Sequence, residues 1–324
     1  MASQKKPNLA GIIPAIVLPM TKDYKADVPT LKGYVDWIVP QGIRALAVDT
    51  DAGEGPHLGN DEKLQILDVV VRQVNGRVPV VCGVGAPHTA AAVEFAKAAR
   101  DFGADAFLCF PITAFRGATG QDPVILAYHE ALAKVGVPMI IFTLQPDLGG
   151  VDYPKETLVE LVKIDQVWAI KEATFDALKY VETVSLLNAQ KKHITILTGN
   201  DNFIYESFVL GGEGALIGFG AIATQLQVDM LDACKAKDFA EASRLNDLLM
   251  PLVRACFAKP VRDYRARIKE GLVMQGVLEN AVVRPPLFPV GDDARAEVRA
   301  ALVHAGLLDE KAKTRRTGAR IKRP

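Results

Sequence analysis

Short apolar runs alternate with longer amphipathic segments along the whole chain. Eight apolar runs have the length and composition that predict β-strands. They are Ile12–Leu18, Ala45–Thr50, Val78–Val84, Ala106–Phe110, Pro138–Leu144, Val167–Glu172, Thr195–Thr198 and Ala215–Phe219. Most are continuously apolar rather than alternating, which is typical of parallel strands covered on both faces. The pattern therefore predicts a parallel sheet.

The segments between the strands carry a helical period. Apolar residues from Leu64 to Val74 recur on one face of a helix that follows Asn60, a good N-cap. Eight strand–helix alternations of this length favour a closed barrel over an open sheet. An open doubly wound sheet would ordinarily carry a glycine-rich phosphate loop after its first strand. That strand instead leads into Pro19-Met20-Thr21.

We therefore predict an α/β fold, a (β/α)₈ TIM barrel over residues 1–224. Residues 225–310 are predicted to form a C-terminal helical extension, because the runs Ala240–Cys256 and Val261–Gln275 are amphipathic and no strand pattern interrupts them. We expect this extension to pack on the barrel and not to form a separate catalytic domain. The basic residues 311–324 are predicted to be a disordered tail, with a polyanion-binding arm as the alternative.

Composition and charge narrow the classes of function. Hydrophobic residues make up 49% of the chain, and its formal net charge is zero, so we expect a sizeable core and no nucleic-acid partner. No run approaches the roughly 18 apolar residues of a membrane span, and no signal-peptide pattern follows the polar start. We therefore expect no membrane partner and a cytoplasmic location. Because no set of His, Cys, Asp or Glu has metal-ligand spacing, we predict no metal.

One lysine lies inside an apolar predicted strand, in Val167-Trp168-Ala169-Ile170-Lys171-Glu172-Ala173. Removing a lysine from water lowers its pKa and leaves a fraction of free amine that can attack a carbonyl. The iminium so formed draws electrons from the neighbouring carbon. The alternative is a lysine that reaches solvent at the strand end or pairs with Glu172.

Five motifs occur in a characteristic order along the chain. They are Gly11-Ile12-Ile13-Pro14-Ala15-Ile16-Val17-Leu18-Pro19-Met20, Ala52-Gly53-Glu54 with Leu58, Ala169-Ile170-Lys171-Glu172-Ala173, Gly199-Asn200-Asp201 and Gly211-Gly212-Glu213-Gly214-Ala215. In this order they resemble the dihydrodipicolinate synthase / N-acetylneuraminate lyase superfamily of class I aldolases and dehydratases. The resemblance implies a covalent Schiff base on Lys171, no other cofactor, and a homotetramer.

Three positions depart from the pattern of the superfamily. Its members usually carry a proton-relaying tyrosine at the end of strand five, and counting back from Lys171 reaches Thr143, a poor acid that can hold a water or a substrate oxygen. The turn after strand two contains Asp51, which could act as the missing acid or base, or could accept a substrate hydroxyl. The arginine that the synthase branch uses to bind a second carboxylate is replaced by Leu148.

The resemblance also implies where the substrate binds. Backbone amides around Ala52 and Gly53 could receive a carboxylate. The other predicted contacts are Gly199, Asp201, Asn202 and Gly218. Asp201 has a second interpretation as the N-cap of the helix after strand seven.

The predicted function is a Schiff-base lyase that acts on a 2-oxo acid. Lys171, Thr143 and Asp51 are the predicted catalytic residues, in either aldol cleavage or dehydration. Because the tyrosine and the arginine are absent, we expect a 2-keto-3-deoxy sugar acid or a related pyruvate-releasing substrate. Dihydrodipicolinate synthase activity is disfavoured on the same grounds. The alternative is an impaired barrel that only binds a small carbonyl or acidic metabolite.

Overall fold

The computed structural model describes residues 7–146 and 149–310. Its eight strands are Ile12–Pro14 (β1), Leu46–Val48 (β2), Val80–Val84 (β3), Ala106–Cys109 (β4), Met139–Leu144 (β5), Val167–Ala173 (β6), Thr195–Thr198 (β7) and Gly214–Ile217 (β8). They pair in parallel in the order β1-β8-β7-β6-β5-β4-β3-β2, and a parallel bridge between Ala15 and Ala47 joins the two ends of the sheet. The predicted (β/α)₈ barrel is confirmed.

Eleven α-helices accompany the strands in the described part of the chain. They are Val28–Ile38 (α1), Asn60–Val74 (α2), Thr89–Asp101 (α3), Pro123–Ala133 (α4), Lys155–Leu161 (α5), Ala177–Asn188 (α6), Ile204–Val209 (α7), Thr224–Lys235 (α8), Phe239–Cys256 (α9), Tyr264–Met274 (α10) and Asp292–His304 (α11). The helix α8 completes the eighth alternation, so α9, α10 and α11 are additional. Within the described ranges, every helix is too short or too polar to cross a bilayer.

The first strand is shorter than its apolar run predicted. Regular pairing ends at Pro14, yet Ile16, Val17 and Leu18 remain buried in the following turn. A run of apolar residues indicates that a segment is buried, but it does not indicate which residues pair with a neighbouring strand. Because the segment after β1 is also buried, the apolar run continues past the end of the strand.

The helix α10 differs from the other helices because it is buried on all sides. Each residue from Tyr264 to Val273 is buried, although this segment includes four charged side chains. Charged residues are buried only when they are paired or hydrogen-bonded. Two of the four, Arg265 and Lys269, have their partners in the turn after β2, so α10 reaches the carboxyl ends of the barrel strands.

Candidate active site

A cavity of about 280 Å³ lies at the carboxyl ends of the strands, where TIM-barrel enzymes carry their active sites. It is close to the small end of the roughly 300–1,000 Å³ range of small-molecule pockets. Its lining combines an apolar wall with a few charged groups. The lining residues are Ala15, Thr50, Asp51, Ala52, Phe142, Leu144, Lys171, Ala173, Phe175, Gly199, Asp201, Gly218, Phe257, Val261, Arg262, Tyr264 and Arg265.

The amine of Lys171 lies inside this cavity. The side chain is buried, and Nζ is 4.1 Å from the centroid of the Phe142 ring. Burial lowers the pKa of Lys171 to about 8, although the carboxylates of Asp201 and Asp51 act in the opposite direction. A substantial fraction of the amine is therefore neutral and nucleophilic near physiological pH.

The neighbour Glu172 does not neutralise Lys171, because successive side chains of a strand point to opposite faces. Its Oε2 accepts a hydrogen bond of 2.6 Å from Asn200, and its Oε1 accepts one of 3.2 Å from the amide of Thr174. The alternative in which Lys171 pairs with Glu172 or reaches solvent is therefore wrong. The glutamate fastens β6 to the turn after β7, and the lysine remains available in the cavity.

The structure places Phe142, and not Thr143, opposite the lysine. Phe142 is the register partner of Lys171, whereas Thr143 is paired with Glu172. Thr143 is not among the described residues that line the cavity, and its Oγ1 is buried without a hydrogen-bond partner. Counting along the sequence missed the correct face of the strand by one residue. The position facing the lysine on β5 thus carries no hydroxyl.

Asp51 lines the cavity, but its carboxylate is already occupied. Its Oδ2 lies 2.5 Å from Nη2 of Arg265 and accepts a 2.9 Å hydrogen bond from the hydroxyl of Tyr264. Arg265 Nε also donates to the carbonyl of Asp51 at 2.6 Å. The arginine offsets the negative charge that would otherwise repel a substrate carboxylate from this turn.

A buried ion pair holds the turn after β2 in place. Lys269 Nζ lies 2.5 Å from Glu54 Oε1, and both side chains are fully buried. The other oxygen of Glu54 accepts a 2.8 Å hydrogen bond from the amide of Arg284. Asp49 and Glu54 adopt left-handed φ values of 55° and 59°, so the turn is strained. Such backbone persists where surrounding contacts over-determine it, and here α10 supplies those contacts.

Asp201 faces the cavity and does not cap α7. Its Oδ1 accepts a 3.1 Å hydrogen bond from the amide of Phe219, after β8, and α7 begins only at Ile204. Burial raises the pKa of Asp201 to about 7, opposed by the Phe219 amide and by Lys171. Asp201 is therefore a buried counter-charge to the lysine, and the capping alternative is wrong.

Two glycines leave space around these groups. A Cβ atom at Gly199 would lie 2.7 Å from Lys171 Cε, and one at Gly218 would lie 3.1 Å from Cε2 of Tyr264. Both glycines line the cavity, as does Ala52. A larger residue at Gly199 would crowd the side chain of Lys171, and one at Gly218 would crowd the ring of Tyr264.

The remaining predicted contacts lie elsewhere. Gly53 is a buried residue of the turn after β2, and a Cβ atom there would lie 3.1 Å from the carbonyl oxygen of Ile16. Asn202 is exposed. Neither is among the described lining residues of the cavity. The predictions for Leu148 and for the basic tail 311–324 fall outside the described residues.

Sequence reasoning missed the part of the cavity wall formed by the segment after α9 and by the first turn of α10. Phe257, Val261, Arg262, Tyr264 and Arg265 all line the cavity. The only local signal was the density of charge in Arg262-Asp263-Tyr264-Arg265-Ala266-Arg267 within a helix whose other face is apolar. These residues reach the turn after β2 through contacts between positions more than two hundred residues apart along the chain, such as the hydrogen bond between Asp51 and Tyr264.

Comparisons with known proteins agree with this architecture. A model of the dihydrodipicolinate synthetase family matches residues 8–305. The 4-hydroxy-tetrahydrodipicolinate synthase of Jannaschia sp. (strain CCS1) is 34% identical over 298 residues, which are 92% of this chain and 99% of that protein. The synthase of the same name from Cellvibrio japonicus (strain Ueda107) is 33% identical over 303 residues, 92% of this chain and 100% of the relative.

A solved structure gives the same result. The chloride-inhibited dihydrodipicolinate synthase from Acinetobacter baumannii, complexed with pyruvate, superposes with a TM-score of 0.81 at 29% identity. The alignment covers 93% of this chain and 100% of that structure.

These relatives overturn the substrate expected from the sequence. We disfavoured dihydrodipicolinate synthase activity and expected a 2-keto-3-deoxy sugar acid. Curated relatives at 28–34% identity over most of the chain are instead named 4-hydroxy-tetrahydrodipicolinate synthase. The expectation was wrong because it looked for the tyrosine and the arginine of the synthase branch only at their usual positions along the sequence. The structure brings Arg262, Tyr264 and Arg265 to the cavity from another part of the chain.

The predicted enzyme class and the use of a Schiff base are confirmed by the family. Its members are class I lyases that form a Schiff base between pyruvate and a lysine. Family members are commonly tetramers, and a monomeric dihydrodipicolinate synthase variant is also known. The match across residues 8–305, with a barrel that carries a buried lysine on β6, shows that this chain belongs to the dihydrodipicolinate synthetase family.

Proposed function

We propose that this protein is a Schiff-base aldolase that joins pyruvate to an acidic amino aldehyde, with Lys171 as the covalent residue. The observation that carries the proposal is the buried amine of Lys171, which lines the cavity and whose pKa is lowered to about 8. The reaction is the one in the name of the curated relatives. Removing the three carbons of pyruvate from 4-hydroxy-tetrahydrodipicolinate leaves a four-carbon amino aldehyde with one carboxylate, L-aspartate 4-semialdehyde.

The turn after β2 supplies groups that suit the carboxylate of pyruvate. Within the described chain, the backbone amides of Asp51 and Ala52 donate no hydrogen bond, and the buried Thr50 Oγ1 has no partner. Successive free amides in a turn form a concave anion site. Because Arg265 neutralises Asp51, an anion can approach this turn, and the keto carbon of pyruvate then faces Lys171.

The outer wall supplies a cation for the second carboxylate. The Arg262 guanidinium lines the cavity, its side chain is 74% exposed, and its nearest carboxylate, Asp263, is 4.0 Å away. Arg265, in contrast, is committed to Asp51. We therefore assign to Arg262 the recognition of the carboxylate of the aldehyde. This assignment replaces the arginine that the sequence comparison sought at Leu148.

The function is tested by assaying pyruvate with L-aspartate 4-semialdehyde and by trapping pyruvate alone with borohydride. We expect a reduced pyruvate adduct by intact mass and consumption of both substrates. Arg262→Ala should raise KM for the aldehyde about tenfold, since a charge-assisted hydrogen bond contributes about 1.5–3 kcal/mol before discounting for exposure. The matched control is Arg254→Ala, an exposed arginine on α9. Absence of the adduct, or failure to consume the aldehyde, contradicts the proposal.

The rate of adduct formation should depend on pH through Lys171. Only the neutral amine attacks pyruvate, and the pKa of Lys171 is about 8, so below pH 8 the rate should rise about tenfold per pH unit. Above that pH it should level off. Because Asp201 favours the charged lysine, Asp201→Asn should move the rise to lower pH. Stopped-flow or quench measurements over pH 6–10 check both results; a midpoint near 10 would contradict the lowered pKa.

A further inference from the structure

Schiff-base chemistry needs a group that gives and takes protons beside the lysine. Resting on the proposed function, we propose that Tyr264, held by Asp51 and Arg265, is the proton-transferring residue of this cavity. It comes from α10, outside the eight βα units, and its side chain is among those that line the cavity.

The position of the Tyr264 hydroxyl is fixed by contacts on three sides. The hydroxyl donates to Asp51 Oδ2 at 2.9 Å. The ring stacks on Phe257 with centroids 5.1 Å apart and an interplanar angle of 14°. Its edge lies against Gly218, where an added Cβ would be 3.1 Å from Cε2. A phenol held in this way needs little reorganisation to transfer a proton.

The charges around the phenol act in opposite directions, and Arg265 is the one that stabilises a phenolate. The Arg265 guanidinium carbon is 4.8 Å from the Tyr264 ring centroid, and the same arginine binds Asp51. Burial and Asp51 raise the pKa of Tyr264, whereas Arg265 lowers it. The phenolate is therefore a strong base, and Arg265 is the cation beside it; Tyr264 and Lys171 line the same cavity.

The other oxygen groups of the cavity are less suited to this role. Asp51 Oδ2 already contacts both Arg265 and Tyr264. Asp201 Oδ1 accepts from the Phe219 amide, and the carboxylate serves as the counter-charge to Lys171. The hydroxyl of Thr50 is a much weaker acid than a phenol. Of the two hydroxyl groups among the described lining residues, Tyr264 is thus the more acidic and the better suited to transfer a proton.

The proton transfers balance without any further reactant. When the carbinolamine collapses, the Tyr264 proton goes to the departing hydroxyl, the C–O bond breaks and water leaves. The nitrogen lone pair forms the C=N bond, which gives an iminium and a phenolate. The phenolate removes a proton from C3, and the C–H electrons form the enamine. When C3 bonds to the aldehyde carbon, the aldehyde oxygen takes the proton back from Tyr264. On release, water adds to the iminium carbon and the phenolate takes one of its protons, which gives a carbinolamine. The hydroxyl proton of the carbinolamine then passes to the lysine nitrogen, the C–N bond breaks, and the C=O bond of the product forms.

The test follows exchange of the C3 protons of pyruvate in D₂O by NMR, which needs no second substrate. Borohydride trapping in the same samples measures the amount of adduct. Tyr264→Phe should still reach the adduct at saturating pyruvate, but the exchange rate per adduct should fall about 10²- to 10⁴-fold. Tyr180→Phe is the matched control, since it removes a buried hydroxyl that donates to Ser207 O outside the cavity. It should exchange at the wild-type rate.

A second variant, Asp51→Asn, removes the hydrogen-bond partner of Tyr264 but keeps the phenol. It should slow exchange less than Tyr264→Phe, and the double variant should be no slower than Tyr264→Phe alone, because the two residues act as one unit. Exchange within about threefold of wild type in Tyr264→Phe overturns the role of the tyrosine while the Schiff base stands. If Tyr264→Phe does not fold, normal exchange in a folded Asp51→Asn overturns it. Absence of an adduct in the wild type overturns the proposed function itself.

Discussion

Replacing Lys171 by methionine is expected to abolish the pyruvate adduct and to lower the aldolase rate by about 10⁴-fold or more, as loss of a covalent nucleophile does in other enzymes. Methionine fills a similar volume but cannot form a C=N bond. Lys171→Arg keeps the positive charge and should also form no adduct. Intact mass after borohydride treatment and a steady-state assay measure the two effects.

The same substitution should not destabilise the protein. The lysine side chain packs against Phe142 and the apolar wall, so methionine removes a buried amine without leaving a void. Asp201 loses its counter-charge, but its pKa is already raised to about 7, so this carboxyl takes up a proton and does not stay buried as an unpaired anion. We expect an unchanged or raised Tm. Lys97→Met, an exposed lysine on α3, is the control and should keep both adduct and rate. An adduct that persists in Lys171→Met would place the Schiff base on another lysine.

Replacing Lys269 by methionine is expected to cost about 3–5 kcal/mol of unfolding free energy, because it leaves the carboxylate of Glu54 buried without its cation. In the native protein Lys269 also donates to the carbonyl of Val282 at 2.6 Å. Burial lowers the pKa of Lys269, and Glu54 opposes this effect. Denaturant unfolding monitored by circular dichroism gives the difference in stability.

Two comparisons isolate the buried charge as the cause. Arg72→Ala breaks an exposed i,i+4 pair, in which Arg72 is 78% exposed, and should change stability by less than about 1 kcal/mol. The double variant Lys269→Met with Glu54→Gln should recover part of the loss, since no unpaired charge remains. If Lys269→Met costs no more than Arg72→Ala, the pair does not hold the turn.

Two ion pairs show why α10 matters to the chemistry. Lys269 binds Glu54 three residues beyond Asp51 in the turn, and Arg265 binds Asp51 itself. The helix therefore fixes the turn that faces the substrate carboxylate and supplies the phenol of Tyr264. A weaker contact between α10 and this turn is expected to affect catalysis as well as stability.

The sequence by itself determined the fold class and predicted the nucleophile. Continuous apolar runs separated by amphipathic segments admit few architectures, because parallel strands covered on both faces need helices between them. Lys171 could be proposed because a lysine within an apolar strand is costly unless it is paired or neutral, and because the motif around it resembles that of the family. Both patterns are local in the sequence, so they can be recognised without knowing which distant residues are in contact.

Only the tertiary structure decided which side chains surround the lysine. A shift of one residue exchanged Phe142 for Thr143, since alternate residues of a strand face opposite sides. The partners of Asp51 and Glu54 come from α10, after the barrel is complete. A charged amphipathic helix does not reveal from its own pattern which distant turn it covers. For that reason the sequence did not indicate that Tyr264 and Arg262, from α10 and the segment before it, line the cavity.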